Sequence, residues 1–123
     1  MTRSVREHTI MVEILNALGS RSDVRCWRNP VGAAAFPMGR DRLVWRRFGL
    51  VGSPDIVGFL RGGWFLSVEV KRDDAPLTPE QASFFRVGNQ FGCCCIVARS
   101  VEEAVSQIDA FLATRDPDLT PAS

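Results

Sequence analysis

Asp55 and the tripeptide Glu69-Val70-Lys71 lie at matched distances on either side of Arg61-Gly62-Gly63. The flanking runs, Ile56 to Leu60 and Trp64 to Val70, are rich in β-forming residues, and a Gly-Gly pair between two such runs marks a hairpin. Counting outward from a three-residue loop sets Leu60 opposite Trp64, Phe59 opposite Phe65, Val57 opposite Ser67, Ile56 opposite Val68 and Asp55 opposite Glu69. Directly opposed residues share a sheet face, with Cβ atoms about 4.5–5.5 Å apart. Lys71, two residues beyond Glu69, points the same way because strand side chains alternate. A loop one residue longer or shorter would set Asp55 diagonal to Glu69, where the two could still share one ion.

Two carboxylates this close repel, and one of them takes up a proton unless a cation sits between them. A divalent metal is such a cation. Oxygen ligands without a nearby histidine or cysteine favour Mg²⁺ or Mn²⁺ over zinc. The ordinary alternative is a surface hairpin with a solvated Glu and Lys; the matched Asp and the apolar flanks argue for the metal site.

Several elements must hold this hairpin in place. Apolar residues at Ile10, Met11, Ile14, Leu15 and Leu18 predict an amphipathic helix over Val5 to Leu18, closed by Gly19. On a helical wheel Glu7 falls near the middle of the apolar stripe and points toward the sheet. It is either a first-turn glutamate favoured by the helix dipole or a third acidic group for the metal. Val24 to Arg28 alternates as a short strand and stops at Asn29-Pro30, before a glycine-rich and arginine-rich stretch. Beyond the hairpin, Thr78-Pro79-Glu80-Gln81 opens a helix that runs through Phe84, Phe85, Val87 and Phe91 and ends at Gly92. Thr78 is its N-cap, Pro79 its first residue, and Gln81 completes a capping box. That box accounts for Gln81, although the side chain also stands near Lys71. Cys93 to Ala98 reads as a continuous apolar strand, and Ser100-Val101-Glu102-Glu103 as a capping box opening a last helix to about Thr114. Residues 1–115 form one domain, and 116–123 read as a flexible tail. A helix between the hairpin and the apolar strand implies a parallel pair. The expected class is therefore α/β, a mixed central sheet flanked by helices in the order αβββαβα.

The chain has 123 residues, 46% hydrophobic and 24% charged, with a formal net charge of +1, which suits one soluble domain. No apolar run approaches the roughly 20 residues that span a bilayer, and the start of the chain is unlike a signal peptide, so a cytoplasmic location is expected. Cys26 and the run Cys93-Cys94-Cys95 lack metal-ligand spacing and read as small apolar residues in a reducing compartment. His8 is the single histidine, which leaves Ser-His or Cys-His mechanisms one candidate. Between Arg21 and Arg47 stand Arg21, Arg25, Arg28, Arg40, Arg42, Arg46 and Arg47 against Asp23 and Asp41, whereas the chain after Ser100 is acidic. Such asymmetry is the footprint of a polyanion-binding surface or of a solvated arginine-rich loop. Trp45 and Phe48 beside Arg46 and Arg47 add stacking capacity, which suits nucleic acid.

The element order, Pro54-Asp55 and Glu69-Val70-Lys71 together resemble the PD-(D/E)xK nuclease superfamily, whose restriction-endonuclease-like core is a helix, three strands, a helix and a strand. Gly49 to Asp55, Phe65 to Lys71, Leu77 to Gln81 and Ala98 to Glu103 look like its VRR-NUC branch, which includes small stand-alone phage and bacterial proteins. The resemblance covers about Arg6 to Ala113. It implies Asp55, Glu69 and the carbonyl of Val70 as metal ligands and Lys71 as the group that orients or activates water. It also matches Glu7 to the acidic residue of the first helix and Gln81 to the glutamine after the ExK strand. The chain departs from the family at two places: the Val-Arg-Arg signature is not reproduced at Val97-Ala98-Arg99, and Met11 occupies a position often held by glutamine. The implied activity is Mg²⁺- or Mn²⁺-dependent hydrolysis of DNA by an endonuclease on branched or flapped substrates such as four-way junctions. It would act as a homodimer in a bacterial or phage-infected cytosol, without an organic cofactor, with Arg28, Arg40, Arg42, Arg46 and Arg47 holding the nucleic acid. A non-cleaving nucleic-acid-binding module on the same fold is the alternative, and a purely partner-binding domain a third reading.

Overall fold

The computed structural model describes residues 4–30 and 32–115, with the backbone alone at residues 47 and 48. The 116–123 segment read as a tail lies outside them. Among the described residues nine elements follow in order: α1 (Val5–Gly19), β1 (Val24–Arg28), β2 (Gly32–Pro37), β3 (Leu43–Phe48), β4 (Ile56–Leu60), β5 (Trp64–Val70), α2 (Pro79–Gln90), β6 (Cys94–Ala98) and α3 (Val101–Arg115). Strands β1, β4, β5 and β6 form a four-stranded sheet in that spatial order, antiparallel except for the parallel β5–β6 pair. The mixed α/β class is thus the observed one.

The β4–β5 hairpin has the register expected from counting, with Ile56 opposite Val68 and Leu60 opposite Trp64. Its turn closes through Gly63 N–H donating to the Leu60 carbonyl at 3.0 Å. Gly62 and Gly63 take φ values of 98° and 86°, a left-handed conformation that only glycine adopts without strain.

One face of the sheet carries Val24, Ile56, Leu60, Leu66, Val68, Val70, Cys94, Ile96 and Ala98, which meet Met11, Ile14 and Leu18 of α1 and Ala104, Ile108 and Leu112 of α3 in one core. Fully burying an aliphatic side chain of this size contributes about 1.5–3 kcal/mol relative to exposure, which fixes both register and face. Helix α2 packs on the opposite face, against β6. Cysteines on successive strand positions therefore divide: Cys94 enters the α1–α3 core, and Cys95 faces α2. Burial pushes the Cys94 thiol up to about 12 and raises those of Cys95 and Cys26. All four cysteines are free, and the strand begins one residue later than expected, at Cys94.

The outer edge of β6 is occupied by side chains. Asn89 of α2 donates to the Cys95 carbonyl at 3.1 Å and accepts from its N–H at 3.4 Å, and Gln107 of α3 donates to the Val97 carbonyl at 2.8 Å.

The stretch between β1 and β4, expected to be a loop, is instead a second antiparallel pair. β2 and β3 pair from Gly32–Phe48 to Pro37–Leu43 and pack principally on each other. Glycine, three alanines and proline hide β2 because none favours a strand. The hairpin, here called the arm, is inserted between the end of β1 and the start of β4. Arg28 pairs with Ile56, and Asn29 N–H donates to the Asp55 carbonyl at 2.7 Å, so the arm springs from the end of the sheet that carries Asp55.

Candidate active site

Asp55 immediately precedes β4, and its placement depends on contacts from three directions. Asn29, at the end of β1, grips the segment before it: the side-chain amide donates to Ser53 Oγ at 3.1 Å and to the Pro54 carbonyl at 3.0 Å. Gly52, at φ 84°, lies so close to Glu80 of α2 that a Cβ there would meet Glu80 atoms at 2.7 Å, which excludes a side chain. The Asp55 carboxylate accepts the Val70 N–H at 2.8 Å on Oδ2. Backbone geometry explains this last bond. Lys71 turns its N–H toward β6, where it donates to the Ala98 carbonyl at 3.1 Å. Its neighbour Val70 therefore turns both its N–H and its C=O toward β4, and Asp55 takes the N–H where the β4 ladder has ended.

Glu69 and Lys71 share the face opposite the core and are 7% and 8% exposed. Charged residues are almost never this buried without partners. Lys71 Nζ lies 4.0 Å from Glu69 Oε1, an ion pair too long for a hydrogen bond between those two atoms. Gln81 donates from Nε2 to the same Oε1 at 2.8 Å. Its other amide atom completes the capping box: Oε1 accepts from Thr78 N–H at 2.9 Å while Gln81 N–H donates to Thr78 Oγ1 at 3.1 Å. Capping and site contact therefore coexist in one side chain, and the site contact is with Glu69 rather than with Lys71.

Glu7 comes from α1, on the other side of the sheet. Ser4 caps that helix by accepting the Glu7 N–H at 3.1 Å, and Glu7 Oε2 accepts from Arg72 N–H at 3.3 Å, one residue past Lys71. Glu7 thus stands at the C-terminal end of β5. Among the described residues no group of three or more His, Cys, Asp or Glu side chains is gathered to hold an ion. A metal here would draw on Asp55, Glu69, the Val70 carbonyl and water. That all-oxygen donor set, with one carboxylate in a nearly closed environment, fits a hard divalent cation.

The sequence reading missed two residues at this site. Asn29 looked like a strand stop, and only the adjacency of β1 and β4 makes it a clamp on Pro54-Asp55. Arg99 Nη1 donates to the carbonyls of Arg72, Asp73 and Ala75 at 3.3, 2.7 and 2.9 Å. It pins the loop that leaves Lys71, a loop in which Asp73 takes φ 42°. An arginine directly after an apolar strand was the available signal. Glu103 accepts the N–H of this same Arg99 at 2.9 Å, while its own N–H donates to Ser100 Oγ at 3.1 Å.

Of the arginines read as a nucleic-acid surface, Arg40, Arg42 and Arg46 are exposed on the arm and Arg28 is exposed at its root. The Arg47 side chain lies outside the described residues. Trp45, on the arm, is 74% exposed. Arg21 leaves the basic surface altogether. It is buried and donates to both oxygens of Asp23 at 2.9 and 2.8 Å and to Asp109 of α3 at 2.7 Å.

No family model matches this chain, and no curated protein matches it. Solved structures do. One, described as a VRR_NUC domain protein, superposes with a TM-score of 0.58 at 17% identity, covering 89% of this chain and 90% of that one. The chain therefore shares the fold of that VRR-NUC domain protein over nearly its whole length, in agreement with the resemblance carried by Asp55, Glu69-Val70-Lys71 and Gln81.

Proposed function

We propose that this protein is a metal-dependent nuclease that hydrolyses DNA phosphodiester bonds, an endonuclease for branched or flapped DNA. The observation that carries the reading is the buried Glu69–Lys71 pair on the sheet face shared with Asp55, with Gln81 hydrogen-bonded to Glu69. In a purely structural hairpin, burying two charges with a 4.0 Å separation is a poor arrangement, because desolvation is incurred without a compensating hydrogen bond between them.

Asp55, Glu69 and the Val70 carbonyl are the residues that would hold Mg²⁺ or Mn²⁺. The ion, when bound, supplies neutralisation of phosphate charge and a water of lowered pKa. Gln81 fixes the orientation of Glu69 through Oε1. Lys71, with three donors on a flexible stem, orients the attacking water or a phosphate oxygen. Glu7 adds an acidic group at the rim. Arg28 at the arm's root and Arg40, Arg42 and Arg46 along it hold phosphates of the strand entering the site; Arg47 belongs to the same basic run.

We further propose a homodimer, which would offer two centres to two strands. Leu50, Val51 and Val87 are exposed around a cleft between the 49–53 loop and α2, and Phe91 stands 83% exposed at the end of that helix. An apolar surface of this kind is a natural contact for a second copy.

The test incubates the purified protein with linear, flap and four-way-junction DNAs and with RNA, in Mg²⁺ or Mn²⁺ and in chelator. The expected result is cleavage of branched DNA that disappears with chelator and in Lys71→Ala. Binding without cleavage by the unmodified chain in either metal would replace this reading with the non-cleaving module. Sedimentation velocity with Phe91→Ser reports on the dimer.

A further inference from the structure

The sheet face that carries Asp55, Glu69 and Lys71 continues away from the site as an aromatic surface. Strand alternation and the observed registers place Trp27 of β1, Phe59 of β4 and Phe65 of β5 on that face. They are 51%, 53% and 41% exposed. Trp27 and Phe59 meet edge to face, with ring centroids 5.8 Å apart and planes at 73°. Helix α2 packs on β6 and leaves these three rings open. They are not core residues that failed to be covered, because the core of the sheet lies on its other face.

The charge around the rings selects their partner. Arg25 stands opposite Phe59 on the same face, its guanidinium held by the Arg21 and Val24 carbonyls. Among the strand residues of this face the acid is Glu69, at the site end, where Asp55 immediately precedes β4. Along β4, Asp55 and Phe59 are four residues apart, about 13 Å at 3.3 Å per residue, the length of about four stacked nucleotides.

We infer that Trp27 and Phe59 form a stacking platform for unpaired nucleotides within about four nucleotides of the scissile phosphate, so that the substrate class is a nucleic acid with a single-stranded segment beside the cleavage point. The inference rests on the nuclease reading and narrows it. Flat rings open to solvent on a sheet accept base faces, and base faces are available only where a strand is unpaired. A blunt duplex offers phosphates and groove edges instead, which engage the arginines of the arm and leave the rings without a partner.

The experiment measures binding by fluorescence anisotropy in the Lys71→Ala background with Mg²⁺, using a short labelled oligothymidine and a blunt duplex of the same length. Trp27→Ala with Phe59→Ala should weaken oligothymidine binding by about tenfold or more and leave the duplex within about twofold. Trp27→Phe, which keeps a ring, should retain most of the affinity. Equal loss on both probes, or no loss on either, overturns the platform. A change from dimer to monomer in sedimentation, with oligothymidine binding intact, overturns it in favour of a contact between copies. The nuclease reading fails separately, by absence of metal-dependent cleavage in the chain with Lys71 intact; cleavage that is unaffected by the double substitution removes the platform alone.

Discussion

Two buried groups of charge sit at opposite ends of the same sheet and are built differently. At the turn end, Arg21 donates three hydrogen bonds of 2.7–2.9 Å to Asp23 and Asp109 and ties the end of α1, the start of β1 and α3 together. Those carboxylates hold its guanidinium well above the usual range, the bond to Asp23 contributing most. At the other end, Lys71 approaches Glu69 only to 4.0 Å, and Asp55 and Glu69 are steered by a backbone N–H and by a glutamine amide. The first arrangement is saturated and rigid, as suits a fastener. In the second, the cation of the Glu69–Lys71 pair stands back beyond hydrogen-bond distance. Proximity of opposite charges does not separate a structural cluster from a chemical one; the tightness of their mutual hydrogen bonding does.

This contrast predicts opposite phenotypes. The largest expected effect is on stability: Arg21→Met removes three hydrogen bonds from the buried Asp23 and the part-exposed Asp109 and should cost about 3 kcal/mol, roughly 10 °C in thermal midpoint, as read by calorimetry. Lys71→Ala should act mainly on the reaction, lowering cleavage by about a hundredfold or more while the melting temperature falls by less than in Arg21→Met. If Lys71→Ala instead unfolds the protein and Arg21→Met does not, the assignment of roles is inverted. Gln81 belongs to both categories. Gln81→Ala removes a capping acceptor and the donor to Glu69, so it should cost about 1–2 kcal/mol in urea denaturation and also slow cleavage. Gln81→Glu keeps the acceptor but replaces the donor to Glu69 with a like charge, and should recover neither the stability nor the rate.

An effect of the same size as that of Gln81→Ala on stability is expected in alkali and lies in the core, away from both clusters. Cys94 has its thiol pushed up to about 12 by burial. A group whose folded pKa exceeds its unfolded value near 8.5 stabilises fully below that value and loses the contribution as pH rises toward the folded one. Stability should therefore fall by about 1–2 kcal/mol between pH 9 and 10.5, as followed by denaturant midpoints, and Cys94→Val should flatten that decline.

Local chemistry made one half of the site legible. Gly-Gly between β-forming runs fixed the register that sets Asp55 across from Glu69, and Thr78-Pro79-Glu80-Gln81 announced its own cap. Pairings between distant segments left no such trace. Asp109 reaches Arg21 across 88 positions, so Arg21 looked like one more member of a basic surface. The amide of Asn29 matters only because β1 lies beside β4. The arm escaped for a different reason: its second strand, Leu43 to Phe48, holds good β-formers, but its partner is mostly alanine, and pairing depends on both strands. Comparison with solved structures extends the legible part to the fold, where 17% identity still accompanies near-complete coverage.

The side chains along β6 have a consequence for assembly. A bare strand edge is a template on which foreign strands can polymerise, and proteins suppress it by covering or charging it. Here Asn89 satisfies both outward backbone groups of Cys95 and Gln107 the outward carbonyl of Val97, so an incoming strand would have to displace two amides to complete a ladder. Aggregation by sheet extension is disfavoured on that side, which leaves the faces, the β1 margin and the strands of the arm as routes of association in a concentrated solution.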